Sequence, residues 1–283
     1  MSAALLQSGI TMLRDLRRRN VTVLVCLCIL AAAVFIALFG PALAPFGEGQ
    51  IVAAPFLPSS ASHWLGTDFL GRDVASRIIY GLRVTLGVGL GITAVGFSVG
   101  SGFGFLAATL GGRLEQVMSR LNDAFISFPS MMIALVVIAG LGSSMPVLIL
   151  TVGLIDATRV FRVARALAAD ILVRDFVEVA RLRGEGLGWV MLHEILPNTI
   201  APLLAEFGIR FTYAILFISS LSFLGLGVQP PHSDLGLMVQ ENVRGLVLGA
   251  YTPIYPALVI AIVTVSVNLV VDRYIENSKR SRR

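Results

Sequence analysis

Six apolar stretches, each close to the length at which a helix crosses a bilayer, dominate this 283-residue chain. A hydrocarbon core of ~30 Å takes about 20 helical residues at a rise of ~1.5 Å each. The stretches cover approximately 21–44, 84–110, 121–142, 146–163, 199–227 and 253–271. Charged residues supply only 14% of the chain, against about 25% in soluble domains. An ordinary soluble globule would lack a surface, and a hydrophobic content of 56% excludes disorder. The expected class is an all-α polytopic membrane protein with six transmembrane helices.

Sidedness follows from where the 22 Lys and Arg residues fall. With the N-terminus inside, cytoplasmic segments hold 17 of them and outside loops hold four: Arg72, Arg77, Arg83 and Arg244. Arg210 lies within the fifth stretch. Both termini are therefore expected in the cytoplasm. Arginines spread along one membrane face form no nucleic-acid groove, so no nucleic-acid partner is expected. The single lysine, Lys279, is followed by Arg280 and cannot complete a G-x-x-x-x-G-K-[ST] loop, which excludes Walker-type ATP binding by this chain. Cys26 and Cys28 sit in an apolar run and read as small apolar residues. The first stretch follows Arg14, Arg17, Arg18 and Arg19 and exceeds a signal-peptide core, so it reads as an uncleaved anchor despite the Ala42-x-Ala44 pair. Nine glycines in and just after the second stretch predict close helix packing in lipid.

The segment 164–198 is expected to lie below the membrane. Residues 175–183 suit a short helix capped by Asp175, with Phe176, Val179, Ala180 and Leu182 as its apolar side. Gly184, Gly186 and Gly188 break it, and a second short helix follows from Leu187 to Leu196, carrying Trp189 and Leu192. Two short helices bent around glycines and tipped with apolar residues suit a docking element. Glu178-x-Ala180, Gly184 four residues later, and Leu196-Pro197 resemble the EAA loop of ABC-importer permease subunits, with Val179 where that loop usually has alanine. The resemblance implies that this loop docks onto a cytoplasmic ATPase.

A second segment narrows the family. Gly66-Thr67-Asp68-Phe69-Leu70-Gly71-Arg72-Asp73 resembles the GTDxxGRD signature of the C-type permeases of dipeptide, oligopeptide and nickel importers. Its residues allow helical pairs, Asp68 with Arg72 and Asp73 with Arg77, in a polar segment outside the membrane. The run from Ser219 through Gly225, Gly227 and Pro230-Pro231 to Gly236 is similar to the same family; the glycines permit close packing and the prolines are expected to end the fifth helix. The resemblance implies the type I importer permease fold: a basic N-terminus (1–20), a first helix (21–44), an extracytoplasmic segment (45–83), a permease core (84–272) and a basic tail (273–283). It further implies a bacterial inner-membrane location, a second permease subunit, ATPase subunits that bind ATP and Mg, and an extracytoplasmic substrate-binding protein. No cofactor is expected on this chain.

Charges within a span cost about 2.5–3.5 kcal/mol each on insertion scales and invite a functional reading. Glu206 and Arg210, four residues apart, are expected to pair and to face the pathway or a subunit interface; Asp156 is expected beside Arg159 near the cytoplasmic end of the fourth helix. The competing class is an ion-coupled transporter or channel, which would favour paired broken helices and an inverted repeat. The two halves of the chain do not echo each other. His63, His193 and His232 are expected on different sides, which excludes a shared metal site or triad, and no enzymatic activity is expected. Which solute is carried is not legible.

Overall fold

The computed structural model describes the backbone of residues 2–281 and the side chains of residues 21–276. Helices make up almost all of the regular structure, with two isolated bridges, Ile51 to Arg72 and Thr67 to Asp73, among the described residues. The helices are α1 (Ser2–Leu43), α2 (Val74–Leu110), α3 (Gly112–Ser127), α4 (Ser130–Leu141), α5 (Met145–Leu172), α6 (Asp175–Leu182), α7 (Leu187–Trp189), α8 (Leu196–Phe223), α9 (Leu235–Asn242) and α10 (Ile254–Ser281). A π turn, Val190–Ile195, joins α7 to α8, and a 3-10 turn, Val243–Leu248, follows α9.

Helices α2 and α5 form the closest pair and run parallel. A Cβ on Gly96, Gly100 or Gly104 would meet the carbonyl of Gly153, Ala157 or Phe161 at 3.0, 2.5 or 2.7 Å, so both partners advance together by four residues. Backbones approach this closely only where the side chain is missing, the small-residue packing that lipid favours. Helix α8 packs on α2 in the opposite direction, with Phe97 against Phe207 and Gly89 beside Ile215, and α10 packs on α8 through Gly208 and Val271. The central core joins α2, α4, α5 and α8 through Ile92, Ile138, Leu148 and Ile218.

Several element boundaries differ from expectation. Helix α2 begins at Val74, inside the segment expected to end at 83, because Asp73 caps it. The third stretch is two helices, α3 and α4, bent by 83°. Pro129 causes the break: it forces Phe128 out of helical geometry, at φ −83° and ψ 139°. Helix α5 runs to Leu172, well past 163, so Asp156 and Arg159 lie near its middle rather than at its end. The expected helix Leu187–Leu196 is instead the start of a longer one, as α7, the π turn and α8 form a continuous run from Leu187 to Phe223. Helix α8 stops at Phe223, before Pro230-Pro231. Gly225 at φ +80° ends it, with its N–H and that of Leu226 bonded to the carbonyls of Ser222 and Leu221.

By length and composition, four described helices can cross a bilayer: Val21–Leu43, Val74–Leu110, Leu187–Phe223 and Ile254–Glu276. The bent α3–α4 pair makes a fifth if counted as one span. Helix α5, expected as the fourth of six, stands apart because Asp156, Arg159 and Arg162 interrupt its apolar length.

The coupling segment, the polar cap and a charged cleft

The segment after α5 folds as an anchored, two-faced unit. Val177 and Ala180, three apart on α6, are fully buried with Val190 and Ile195 of the π turn, next to Phe105 of α2 and Ala164 and Ala168 of α5. Phe176, Val179 and Leu182 point outward, Leu182 with 81% of its surface exposed. The expected apolar side is thus split: Ala180 holds α6 down, while its three companions form an open apolar face beside exposed Glu178. Arg174, not Asp175, occupies the N-cap position; Asp175 is the first helical residue. Gly184 terminates α6 at φ +84°, its N–H bonded to the carbonyl of Arg181 and that of Glu185 to the carbonyl of Ala180. This left-handed position suits glycine, and no atom would meet a Cβ there, so substitution strains only the backbone.

Trp189 stacks on His193 with centroids 4.8 Å apart, and the Arg183 guanidinium lies 5.9 Å from the Trp189 ring. The π turn then lets a proline sit inside the run. Pro197 has no N–H for the carbonyl of His193, and the looser π register accommodates this. Carbonyls near the shifted register are met by side chains: Asn198 donates to Glu194 O at 2.7 Å and Thr199 to Ile195 O at 2.8 Å. Leu196 and Pro197 are exposed on this turn, which no hydropathy pattern would have disclosed.

At the opposite end, two loops far apart in sequence close into a polar cap. Asp68 is fully buried, and its Oδ1 accepts from the backbone N–H groups of Leu70 and Arg72, both at 2.8 Å. Its Oδ2 accepts from Arg72 Nε and Arg77 Nη1, both at 2.6 Å. Glu241 of α9 completes the set, 3.1 Å from Arg72 Nη2 and 2.8 Å from Arg77 Nη1. Two carboxylates and two guanidiniums balance. Arg77 therefore pairs with Asp68 and Glu241, not with Asp73 as expected, because Asp73 Oδ2 caps α2 by accepting from Ser76 N and Oγ, and Asp73 Oδ1 lies 3.2 Å from His63 Nδ1. The Asp68–Arg72 pair forms in a turn rather than a helix. Thr67 Oγ1 donates to Ala54 O and accepts from Leu57 N, and added Cβ atoms on Gly66 and Gly71 would strike the carbonyls of Leu57 and Ala53. Glu48 accepts from Ser233 N at 2.7 Å and lies 3.4 Å from His232.

Between these ends lies a charged cleft. Arg210 Nε donates to Glu206 at 2.6 Å, the pair expected one turn apart. Arg210 Nη1 also reaches Asp156 of α5 at 3.4 Å, a partner 54 residues away that sequence spacing could not reveal. Arg159 lies 3.8 Å from Asp156, and the Tyr213 ring sits 5.2 Å from the Arg210 guanidinium. Asp156, Arg159, Arg210, Tyr213 and Phe217 line a cavity of about 280 Å³.

A parallel glycine-packed helix pair, a bent hairpin and an exposed helical unit on one end define a helical membrane permease. The chain matches the family described as "Binding-protein-dependent transport system inner membrane component" over residues 100–283. It is 30% identical to the dipeptide transport system permease protein DppC of Alkalihalophilus pseudofirmus over 256 residues, which is 90% of this chain and 84% of the relative. It is 34% identical to the glutathione transport system permease protein GsiD of Pectobacterium atrosepticum, over 76% of this chain and 71% of the relative. Among solved structures, an amino acid ABC transporter crystallised with histidines shares the fold at a TM-score of 0.52 and 17% identity, covering 71% of this chain and 93% of that one. This chain belongs to the family of binding-protein-dependent transport system inner membrane components, and it is a permease subunit of an ABC importer rather than an enzyme. The family decides against the ion-coupled alternative.

Proposed function

We propose that the chain crosses the bacterial inner membrane six times, with both termini in the cytoplasm, and forms half of a pathway for peptides or similar small solutes. A second permease subunit supplies the other half, an extracytoplasmic binding protein delivers the solute, and partner ATPases bind the ATP and Mg; this chain binds no cofactor of its own. The parallel course of α2 and α5 supports six crossings. Gly91 meets Ile149 near the start of α5, whereas α2 continues to Leu110. The α3–α4 pair must bring the chain back over those residues, roughly 30 Å of helix at 1.5 Å each, about one hydrocarbon core. Counting α3–α4 and α5 as one span each then gives six. Moving Arg159 from the cytoplasmic side into the cleft leaves 16 of the 22 basic residues inside, still against four outside. On this topology the boundaries at 20, 44, 83 and 272 mark membrane entry and exit, not the ends of helices.

Coupling is assigned to the segment 175–197, with Glu178, Ala180, Gly184, Trp189, Leu196 and Pro197 as its defining residues. The observation that carries it is the outward apolar face of Phe176, Val179 and Leu182 on a helix anchored by Val177 and Ala180. A firmly seated helix with an uncovered face can transmit a push from an ATPase to α5 and α8, rocking the permeases between inward and outward openings. Gly66, Thr67, Asp68, Gly71, Arg72 and Asp73 hold the outer cap in shape, and Glu206 and Arg210 line the pathway. The test is co-purification of the intact complex with Glu178→Ala and Gly184→Ala combined. ATPase association and binding-protein-stimulated hydrolysis should fall at least tenfold; unchanged values reject the coupling role.

A further inference from the structure

The cleft between α5 and α8 combines features that simple internal pairing leaves unexplained. Asp156 is 6% exposed, and its Oδ2 is buried without a hydrogen-bond partner. Its Oδ1 faces Arg210 at 3.4 Å and Arg159 at 3.8 Å, both longer than a well-formed charge-assisted bond. The tight contact is elsewhere, where Glu206 holds Arg210 Nε at 2.6 Å and fixes the guanidinium's orientation. Arg159 is braced at its far end by Ser130 Oγ at 3.0 Å. Two oriented cations and an under-bonded buried carboxylate therefore share the wall of one cavity, with the rings of Tyr213 and Phe217 beside them.

We propose that this cavity is a subsite for a small zwitterion of the dipeptide class, its carboxylate received by Arg159 and Arg210 and its ammonium by Asp156. The inference rests on the reading of α5 and α8 as pathway helices and goes beyond it by naming the ligand's two charged ends. A ligand replaces only the two long contacts to Asp156 Oδ1, supplies the missing partner of Oδ2, and leaves the Glu206–Arg210 bond in place. The aromatic rings receive an apolar side chain. Size sets an upper limit: about 280 Å³ is at the lower edge of small-molecule sites, which start at about 300 Å³, so a dipeptide fits and a long peptide does not.

The test uses the full complex of both permeases and their ATPases in nanodiscs, without the binding protein. Radiolabelled dialanine, N-acetyl-dialanine and dialanine amide serve as probes. Dialanine should bind, and blocking either end should weaken binding at least tenfold. Asp156→Asn should abolish discrimination against the acetylated form, and Arg159→Gln discrimination against the amide. Equal binding of all three probes, no binding of dialanine, or a parallel loss for all three in both variants overturns the subsite. If Asp156→Asn does not assemble, the ranking on the unaltered complex and the Arg159→Gln result decide. Hydrolysis stimulated by the binding protein without dialanine binding sinks this subsite alone. Failure of the unaltered chain to associate with ATPases sinks the permease reading beneath it as well.

Discussion

The two ends of the molecule are built on opposite principles. At the polar cap, the loops after α1 and around α9 bring buried charges together and satisfy them internally, from Asp68 through Arg72 and Arg77 to Glu241. At the coupling end, α6 buries only Val177 and Ala180 and leaves Phe176, Val179 and Leu182 uncovered. Charge that is fully paired resists rearrangement, because breaking one pair strands the others. Apolar surface left open gains free energy only when a partner covers it. One end is thus complete within this chain and the other requires another subunit.

The largest effect should come from breaking the cap. Asp68→Asn removes the charge shared by Arg72 and Arg77, leaving Glu241 to face two guanidiniums in a buried site. Truncating one partner of such a network costs about 3–5 kcal/mol. The variant should lose most of its folded fraction after mild heating in detergent, read by size-exclusion chromatography. Survival at the level of the unaltered protein would mean that the cap is not the rigid end.

A smaller effect tests whether every buried charge in the cap is equally at home. Asp234 caps α9 by accepting from Leu237 N at 3.0 Å, yet it is fully buried. Burial pushes its pKa from 3.8 up to about 6, and the bonds from Leu237, Ser222 and Gly236 offset this only in part. Between about pH 4 and pH 6 the folded chain keeps a proton that the unfolded chain has released. Stability should therefore fall as pH rises through that window and stay lower above it. Asp234→Asn retains an N-cap acceptor and should flatten this dependence, gaining about 1–3 kcal/mol at pH 7.5. Melting curves at pH 4.5 and 7.5 for both proteins decide the matter; parallel pH profiles would return Asp234 to the well-paired group.

What was legible in the sequence divides along the same line. Apolar length and arginine placement exposed the helical membrane class, because both are local in sequence. The Asp68–Arg72 pair was visible at four-residue spacing, but Glu241 lies 169 residues from Arg72, and only folding brings the two together. Asp156 and Arg210 escaped for the same reason. Pro129 was a readable break that the surrounding hydrophobicity masked, since a hydropathy window averages across one residue. The exposed face of α6 was partly legible: its apolar residues could be picked out, but Ala180 could be told from Val179 only by seeing what lies beneath each. The π turn has no periodic signature at all, so Leu196 and Pro197 read as a loop end when they begin α8.

The smallest effect on stability is the sharpest test of the contrast. Leu182 is 81% exposed, so Leu182→Ser removes almost no buried surface and should alter the melting behaviour of the isolated chain by less than about 0.5 kcal/mol. If α6 is the face that an ATPase covers, the same change deletes an apolar contact in the assembled complex. Association should weaken about tenfold or more, measured by retention of the ATPases on the immobilised permease. Val177→Ser provides the reverse case on the same helix: that side chain is fully buried, and its loss should lower stability before it affects docking. A Leu182→Ser chain that melts early, or that holds its ATPases as well as the unaltered chain, would show that the outward face is not a surface waiting for a partner. The difference between the two ends would then be one of composition and not of role.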